Sequence, residues 1–295
     1  MAMLYQSEVV ICAIFLTSAA SNPMIARFAK QVTGIELGYG MWALTMIAPA
    51  LVSLAIIPWL VFRLYPPEIT HTPEAAKIAG EELVQMGRFS RGEKIMLTVF
   101  VLVAALWMTA GWHGLSYTIV ALIGCAVLLL GGAIEWNDIL GERNAWDVFV
   151  WYGGLLTMGS ALGESGITKK FAEAAGGFTA GWQWWAALGI LLLVYFYAHY
   201  AFASITMHVT AMYIPFLTVI LAAGAPPFLA VLALTAVSNL SASVTHYGTT
   251  SGPIYFGAGF VGQREWWRLG LIASLVNILI WVVIGFIWWK VLKLW

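Results

Sequence analysis

Long apolar runs separated by short polar stretches make up most of this chain. The run at residues 41–64 carries no charge before Arg63, and it is long enough to cross a hydrocarbon layer about 30 Å thick. The pattern therefore predicts a membrane-spanning helix there, with kinks at Pro49 and Pro58. Further apolar runs lie at residues 4–20, 95–112, 115–134, 182–200, 211–222, 228–237 and 266–288. Together they predict an all-α membrane protein.

One polar stretch inside this pattern, residues 238–259, dominates the interpretation. It contains hydroxyls, an amide, an imidazole and several glycines, yet it lies between an apolar run and a tryptophan-rich segment. A polar interruption of a helix at membrane depth is tolerated only where it is buried in protein or lines an aqueous cavity, because lipid cannot satisfy its backbone groups. We therefore expect a broken helix that forms half of a solute site.

A second interruption is predicted near the start of the chain. Pro23 lacks a backbone donor and disfavours helix at Asn22, so the first apolar helix should break there. The sequence Ser21-Asn22-Pro23 also resembles Ser251-Gly252-Pro253 in the long polar stretch. Corresponding interruptions in two halves of a chain indicate the binding site of repeat-built transporters.

Apolar arms at residues 184–202 and 211–222 flank a small polar tip, which predicts a re-entrant helical hairpin with an exit turn at residues 223–227. A short glycine-rich run at residues 148–162 suits another broken helix. Prolines and charges make residues 65–94 a linker, with a surface helix at residues 75–86 capped by Thr72. Its basic side chains place this linker in the cytoplasm.

Three regions follow from this pattern together with the family resemblance given below, which implies the division into repeats and the scaffold role. Residues 1–64 are the end of a first repeat, with an unwound helix and a transmembrane helix. Residues 65–94 are the cytoplasmic linker, and residues 95–295 are a second repeat with scaffold helices, the hairpin, an unwound helix and a last transmembrane helix.

Composition narrows the class of protein. Of 295 residues, 61% are hydrophobic and only 9% are charged, with a mean hydropathy of +0.86, against about 25% charged residues in soluble domains. The net charge of zero gives no reason to expect nucleic acid as a partner. The chain also lacks metal-spaced histidines or cysteines, a nucleophile elbow and a phosphate loop, so we expect no enzyme and no organic cofactor.

The candidate ligands are mostly uncharged. Hydroxyls and amides at Ser204, Thr206, Asn239, Thr249 and Thr250 can bind a solute, or they can simply bond neighbouring carbonyls. The N-terminal amides of broken helices can hold a carboxylate without arginine, and freed carbonyls can bind sodium. The histidines near the interruptions, His199, His208 and His246, have two open interpretations, as structural donors to carbonyls or as solute contacts.

Several motifs spread over the whole chain carry a family resemblance, and no single one is specific by itself. They are Phe15-Leu16-Thr17, Ser21-Asn22-Pro23, Arg63-Leu64-Tyr65-Pro66-Pro67-Glu68, Thr72-Pro73-Glu74-Ala75, Asn144-Ala145-Trp146-Asp147, Phe202-Ala203-Ser204, His208-Val209, Thr245-His246-Tyr247, Tyr255-Phe256-Gly257-Ala258-Gly259-Phe260-Val261 and Trp288-Trp289-Lys290. Together they resemble the divalent anion:sodium symporter family, and within it the 2-oxoglutarate/malate translocators.

The resemblance implies a dimeric, elevator-type secondary transporter that holds a dicarboxylate between two hairpin tips and two unwound helices. In the family each tip carries Ser-Asn-Thr, whereas this chain has Ser204-Ile205-Thr206, which puts sodium binding there in doubt and favours exchange. The implied solute ligands are Ser204, Thr206, Thr249 and Asn22, with Thr250, Asn239 and His246 beside them. A sodium ion would lie near Ser204, Thr206 and Gly248.

Family members are typically longer, so the resemblance implies a chain that begins after the first hairpin tip. The main expectation is dicarboxylate transport (2-oxoglutarate, malate or succinate) by exchange or sodium-coupled symport, in a bacterial inner membrane. The alternative is a non-transporting membrane subunit or fragment that needs a separate N-terminal half. An intramembrane enzyme is a distant third.

Overall fold

A computed structural model describes residues 1–67, 74–143, 145–146, 150 and 181–295. This part of the chain contains helices and no strand, which confirms the all-α prediction. The chain divides into two compact units, which we call unit A (Met1–Pro66 and Trp151–Trp295) and unit B (Pro67–Val150). The proposed cap at Thr72 lies outside the described residues, as does almost all of the glycine-rich run at residues 148–162.

The helices are numbered in chain order. They are α1 (Ala2–Ile14), α2 (Ser21–Thr33), α3 (Tyr39–Leu64), α4 (Ala75–Met86), α5 (Arg91–Met108), α6 (Ala110–His113), α7 (Tyr117–Leu130), α8 (Trp136–Gly141), α9 (Trp184–Ala198), α10 (Ile205–Ala222), α11 (Pro227–Leu240), α12 (Gly252–Gly257), α13 (Gln263–Ile280) and α14 (Phe286–Val291). Short 3-10 turns follow α9 and α11, and a π-helical segment joins α13 to α14.

Within the described residues, four helices are long and apolar enough to cross a membrane. They are Tyr39–Leu64, Trp184–Ala201, Ile205–Ala222 and Gln263–Val291. The predicted spans at residues 41–64 and 266–288 are therefore confirmed. α1 and α11 are apolar but shorter, because each of them ends at one of the interruptions.

Both predicted interruptions are present in unit A. The first break, residues 15–20, separates α1 from α2, and the second break, residues 244–251, separates the turn after α11 from α12. Pro23 and Pro253 lie in the first turn of the helix that follows each break. Proline is tolerated at that place because the first N–H groups of a helix have no partner within the helix.

The predicted hairpin is formed by α9 and α10, but its polar tip is shorter than predicted. The sequence favoured a tip that continued to residue 210, whereas α10 begins at Ile205. Ser204 caps the helix, since its hydroxyl accepts from the Thr206 N–H (3.2 Å). The Thr210 hydroxyl donates back to the Thr206 carbonyl (2.7 Å). Such local bonds let polar residues remain inside the helix.

Unit B contains α4 to α8. The predicted surface helix at residues 75–86 is confirmed as α4, and the turn at Gly114 joins α6 to α7 in the left-handed conformation (φ 69°). α5 begins with a capping box in which Ser90 and Glu93 exchange hydrogen bonds (2.6 and 3.2 Å). The bonds that Glu93 accepts from Ser90 hold its pKa below the usual value.

In unit A, tryptophans of the last helix fasten it to α3. Pro49 inside α3 has no N–H, so the Thr45 carbonyl one turn earlier lacks its helical donor. The indole N–H of Trp289 donates to this carbonyl (2.8 Å), and both residues are fully buried. The carbonyl that a proline leaves unpaired in one helix thus receives a hydrogen bond from a side chain of another helix.

Trp289→Phe should therefore destabilise the protein more than Trp288→Phe. Both changes remove an indole donor to an α3 carbonyl, but the Leu44 carbonyl that Trp288 bonds (2.8 Å) keeps its helical donor, because alanine and not proline lies four residues later. A buried carbonyl without a donor costs about 1–3 kcal/mol. Thermal unfolding in detergent measures the difference, and equal midpoints for the two variants would contradict the interpretation.

Candidate functional site

Polar side chains of unit A converge on the second break from α1. The Tyr5 hydroxyl donates to the Ala242 carbonyl (2.8 Å), and the Gln6 amide donates to the Ser243 carbonyl (2.8 Å). These carbonyls lie where α11 and its 3-10 turn end, and carbonyls at the end of a helix have no N–H donor within the helix. The break is therefore satisfied by side chains that come from the opposite end of the sequence.

Glycine allows close approach at two positions around the second break. A Cβ added to Gly248 would meet the Ala242 carbonyl oxygen at 2.9 Å. A Cβ added to Gly270, on α13, would clash with the Ser243 carbonyl oxygen and would meet the Val244 carbonyl oxygen at 2.8 Å. A side chain at either position would push the broken helix away from its neighbours.

Two buried asparagines connect the two breaks. The Asn22 amide donates to the carbonyls of Cys12 (2.8 Å) and Phe15 (2.9 Å) at the end of α1. Its oxygen accepts from the Asn239 amide (2.8 Å), which lies near the end of α11. Both donor hydrogens of Asn22 are therefore used inside the protein, whereas the Asn239 oxygen is buried without a partner.

A pair of buried histidines connects the hairpin to the second break. His199 Nε2 lies 3.0 Å from the Gly248 carbonyl, and its Nδ1 lies 3.1 Å from Nδ1 of His208. A carbonyl only accepts, so in the neutral pair His199 donates from Nε2 and His208 must donate from Nδ1. Nε2 of His208 is then an acceptor, and it is buried without a hydrogen-bond partner.

A third chain of hydrogen bonds connects α1 to the start of α12. The Ser251 hydroxyl donates to Oε1 of Glu8 (2.7 Å) and lies 2.9 Å from the Thr249 hydroxyl. The Thr249 oxygen also accepts from the Gly252 N–H (2.9 Å). Thr249 is 9% exposed, so it lies at the edge of the packed interior.

The structure distributes the predicted site residues over the hairpin tip, α2, α11 and the second break. Ser204 and Thr206, both half-buried, lie at the hairpin tip. Asn22 and Asn239 bond each other between the two breaks. Thr249 lies in the second break with the exposed Thr250. His246, in the same break, accepts from the Trp267 indole (3.1 Å).

Some connections between these groups are direct and others pass through neighbours. The histidine pair joins α10 to Gly248, and the Thr210 hydroxyl oxygen lies 3.2 Å from the Met24 sulfur on α2. No hydrogen bond between described residues joins Ser204 or Thr206 to Thr249. The assignment of solute ligands among them stays a prediction.

Sequence reasoning missed the residues that hold the second break in place. These are Tyr5, Gln6 and Glu8 on α1, Gly270 on α13, and Tyr195 on α9, whose hydroxyl lies 2.9 Å from that of Ser238. A usable signal was present in α1, because polar side chains inside an apolar helix face protein partners. Gly270 and Tyr195 gave no such signal, since both are ordinary within apolar helices.

The sizeable apolar cavity of unit A does not coincide with these residues. Its volume is about 410 Å³, and side chains of α9, α11, α13 and α14 line it, including Trp184, Leu192, Val237 and Trp289. None of the predicted ligands lines it. Across the described ranges, no group of three His, Cys, Asp or Glu residues is placed to hold a metal ion.

Membrane-length helices, two broken helices and a helical hairpin define an integral membrane protein. The family model described as the sodium:sulfate symporter transmembrane region matches residues 1–295. The chain belongs to this family, which confirms the predicted resemblance. Its family and relatives are transporters, and this confirms the prediction that it is not an enzyme.

Three curated relatives illustrate the similarity. A Bacillus subtilis (strain 168) protein, YflS, named provisionally as a malate transporter, is 47% identical over 99% of this chain and 61% of its own length. Dicarboxylate transporter 1 of Spinacia oleracea chloroplasts is 39% identical over 99% of this chain and 52% of its own. The citrate/succinate antiporter of Escherichia coli (strain K12) is 32% identical over 96% and 57%. The chain thus spans between half and two thirds of these relatives.

The asparagines provide a test of the connection between the breaks. Asn22→Ala removes three hydrogen bonds, whereas Asn239→Ala removes one. We expect Asn22→Ala to destabilise the protein more, by about 1 kcal/mol for each of its additional hydrogen bonds. Thermal unfolding in detergent measures both.

Asn277→Leu is the matched control. Asn277 is also fully buried, but neither polar atom of its side chain has a hydrogen-bond partner. Replacing it with leucine should be neutral or stabilising. If Asn22→Ala unfolded at the same temperature as Asn277→Leu, the bonds of Asn22 would not hold the two breaks together.

Proposed function

We propose that this chain carries part of the solute pathway of a secondary transporter for small dicarboxylates of the 2-oxoglutarate, malate and succinate type. The observation that supports the proposal most strongly is the convergence of the hairpin and both breaks through uncharged polar groups. Residues 199–259 contain no Asp, Glu, Lys or Arg. The names of the relatives, which include dicarboxylate and citrate/succinate transporters, favour the same class of solute.

Neutral donors can bind a dianion here without a fixed positive charge. The N-terminus of α10 follows the capping residue Ser204, and a helix of this length carries about half a positive charge at its first turn. Thr206 in that turn and Thr249 in the second break supply hydroxyl donors. We assign the solute carboxylates to these three residues, with Thr250 and His246 beside them.

Asn22 and Asn239 have a different role in this proposal. Because both donor hydrogens of Asn22 are bonded to α1 carbonyls, we assign Asn22 to shaping the cavity. A solute carboxylate could interact with the remaining lone pair of its oxygen only through a bridging donor. The free Asn239 oxygen has the same requirement. These two residues set the distance between the breaks, on which the geometry of the site depends.

We propose exchange of dicarboxylates in preference to strict sodium coupling. The candidate sodium position near Ser204, Thr206 and Gly248 would use the Gly248 carbonyl, and this carbonyl already accepts from His199. Ile205 also offers no oxygen at the tip. An elevator movement, a homodimer and a bacterial inner membrane complete the proposal, and the B. subtilis relative favours the last of these.

The experiment is uptake of labelled malate or 2-oxoglutarate into proteoliposomes that contain the complete gene product. Counter-substrate inside the vesicles should accelerate uptake, and a sodium gradient alone should not. Stimulation by sodium without counter-substrate would contradict exchange. Uptake by no combination of gradients would favour the other candidate, a membrane subunit that needs a separate polypeptide.

Single hydroxyls can be tested in the same assay. Thr249→Val and Thr206→Val should lower uptake at low solute concentration by about 10–100-fold, since a hydrogen bond to a charged group contributes about 1.5–3 kcal/mol. Thr249→Ser should retain uptake. Thr218→Val is the control, because the Thr218 hydroxyl only bonds the Ile214 carbonyl within α10 (2.7 Å). Equal losses in all three valine variants would refute the assignment.

A further inference from the structure

Glu8 is the one charged residue among residues 1–26, and the solute ligands proposed above do not use it. Its Oε1 accepts from the Ser251 hydroxyl (2.7 Å), and the Tyr255 hydroxyl on α12 also interacts with its carboxyl. An ionisable side chain in an apolar helix is costly, and it usually belongs to a transport pathway. The carboxyl group therefore requires an explanation beyond packing.

The protonation state of Glu8 determines the direction of the bonds that connect it to Thr249. An ionised carboxylate only accepts, and each hydroxyl has a single proton. Ser251 then gives its proton to Glu8, so Thr249 must give its own proton to Ser251 (2.9 Å). In this state Thr249 has no proton left for the carboxylate of a solute.

A proton bound at Oε1 of Glu8 reverses the chain. Glu8 then donates to Ser251, and Ser251 donates to Thr249. The Thr249 oxygen accepts from Ser251 and from the Gly252 N–H, so Ser251 no longer takes its proton, and the Thr249 O–H can turn to the Tyr5 hydroxyl, its other neighbour, or to a solute. The change needs one proton from solvent and rotation of two hydroxyls, and no bond between heavy atoms forms or breaks.

We propose that Glu8 is a positioning residue that couples dicarboxylate binding to the uptake of one proton, through Ser251 and Thr249. The inference rests on the proposed function, because it takes Thr249 as a ligand of the dianion. Protonation of Glu8 turns the Thr249 donor toward the solute. It also removes a negative charge that would repel the incoming dianion.

The other titratable groups near Glu8 come from two helices. Tyr5 and Cys12 share α1 with it, and Tyr255 lies on α12; each interacts electrostatically with Glu8. α11 and its 3-10 turn contain no titratable side chain. Nor do α3 and α13 supply an ion-pair partner for Glu8 from the residues that the structure describes. Within the described ranges, no positive side chain therefore pairs with Glu8.

Calorimetry of malate binding to the complete gene product in detergent tests the coupling. The pH range is about 6.5 to about 8.5, where carboxyl groups with ordinary pKa values near 4 remain ionised. Two buffers of different protonation enthalpy give the number of protons taken up. We expect wild-type affinity to fall by up to about tenfold per pH unit, with uptake of up to one proton on binding.

Two variants should weaken this pH dependence. Glu8→Gln removes the ionisable group and places an amide donor next to Ser251 at every pH, so it should bind malate with pH-independent affinity and without proton uptake. Ser251→Ala leaves the Thr249 proton free at every pH, so only the charge of Glu8 still couples, and its affinity should fall less steeply with pH than that of the wild type. Glu36→Gln is the matched control and should keep the wild-type profile, because Glu36 pairs with Lys30 at an exposed position.

The possible failures are distinguishable. Wild-type pH slopes and proton uptake in both variants, or a flat wild-type profile, would overturn the coupling while dicarboxylate binding itself stands. If malate and 2-oxoglutarate bind at no pH, the proposed function fails and the coupling fails with it. If Glu8→Gln does not fold, as judged by size-exclusion chromatography, Ser251→Ala decides the question.

Discussion

The backbone of the second break must be satisfied without water, and the rest of unit A is arranged around that requirement. A helix that ends at membrane depth leaves carbonyls without partners, and each unsatisfied group in lipid costs several kcal/mol. Here Tyr5 and Gln6 donate to carbonyls of the 3-10 turn that leads into the break, and His199 donates to the Gly248 carbonyl within it. These donors come from α1 and from the hairpin, so the break can exist only where both elements pack against it.

The same requirement connects the beginning and the end of unit A. Asn22 satisfies carbonyls at the end of α1 and also accepts from Asn239, so one amide serves both breaks. Near the beginning of α3, Trp289 donates to the Thr45 carbonyl, which Pro49 leaves without a helical donor. Side chains thus replace the helical hydrogen bonds wherever proline or a break removes them. This replacement keeps irregular backbone stable at membrane depth.

A site built in this way has polar groups whose bonds can be redirected. The hydroxyls of Thr249 and Ser251 and the imidazole pair hold their partners without fixed positive charge. Such groups can exchange one partner for another by rotation about a single bond, and a solute carboxylate is a suitable new partner. The Glu8 carboxyl bonds this chain of hydroxyls directly, so a change in its charge would act on the group proposed to bind the solute.

The sequence by itself determined the class of protein, the helices and the places where they break. Apolar length identified the spans, and Pro23 and the polar residues 238–259 identified the interruptions, because these signals act over a few neighbouring residues. The hairpin was also predicted, although its tip was drawn too long, since local hydroxyl-to-carbonyl bonds let α10 begin at Ile205. Only the tertiary structure decided which side chains satisfy the breaks. Tyr5 meets Ala242 and Asn22 meets Asn239 across more than two hundred residues of sequence, and Gly270 matters because two carbonyls approach it. Nothing in the local pattern specifies such partners, because they depend on how distant helices pack.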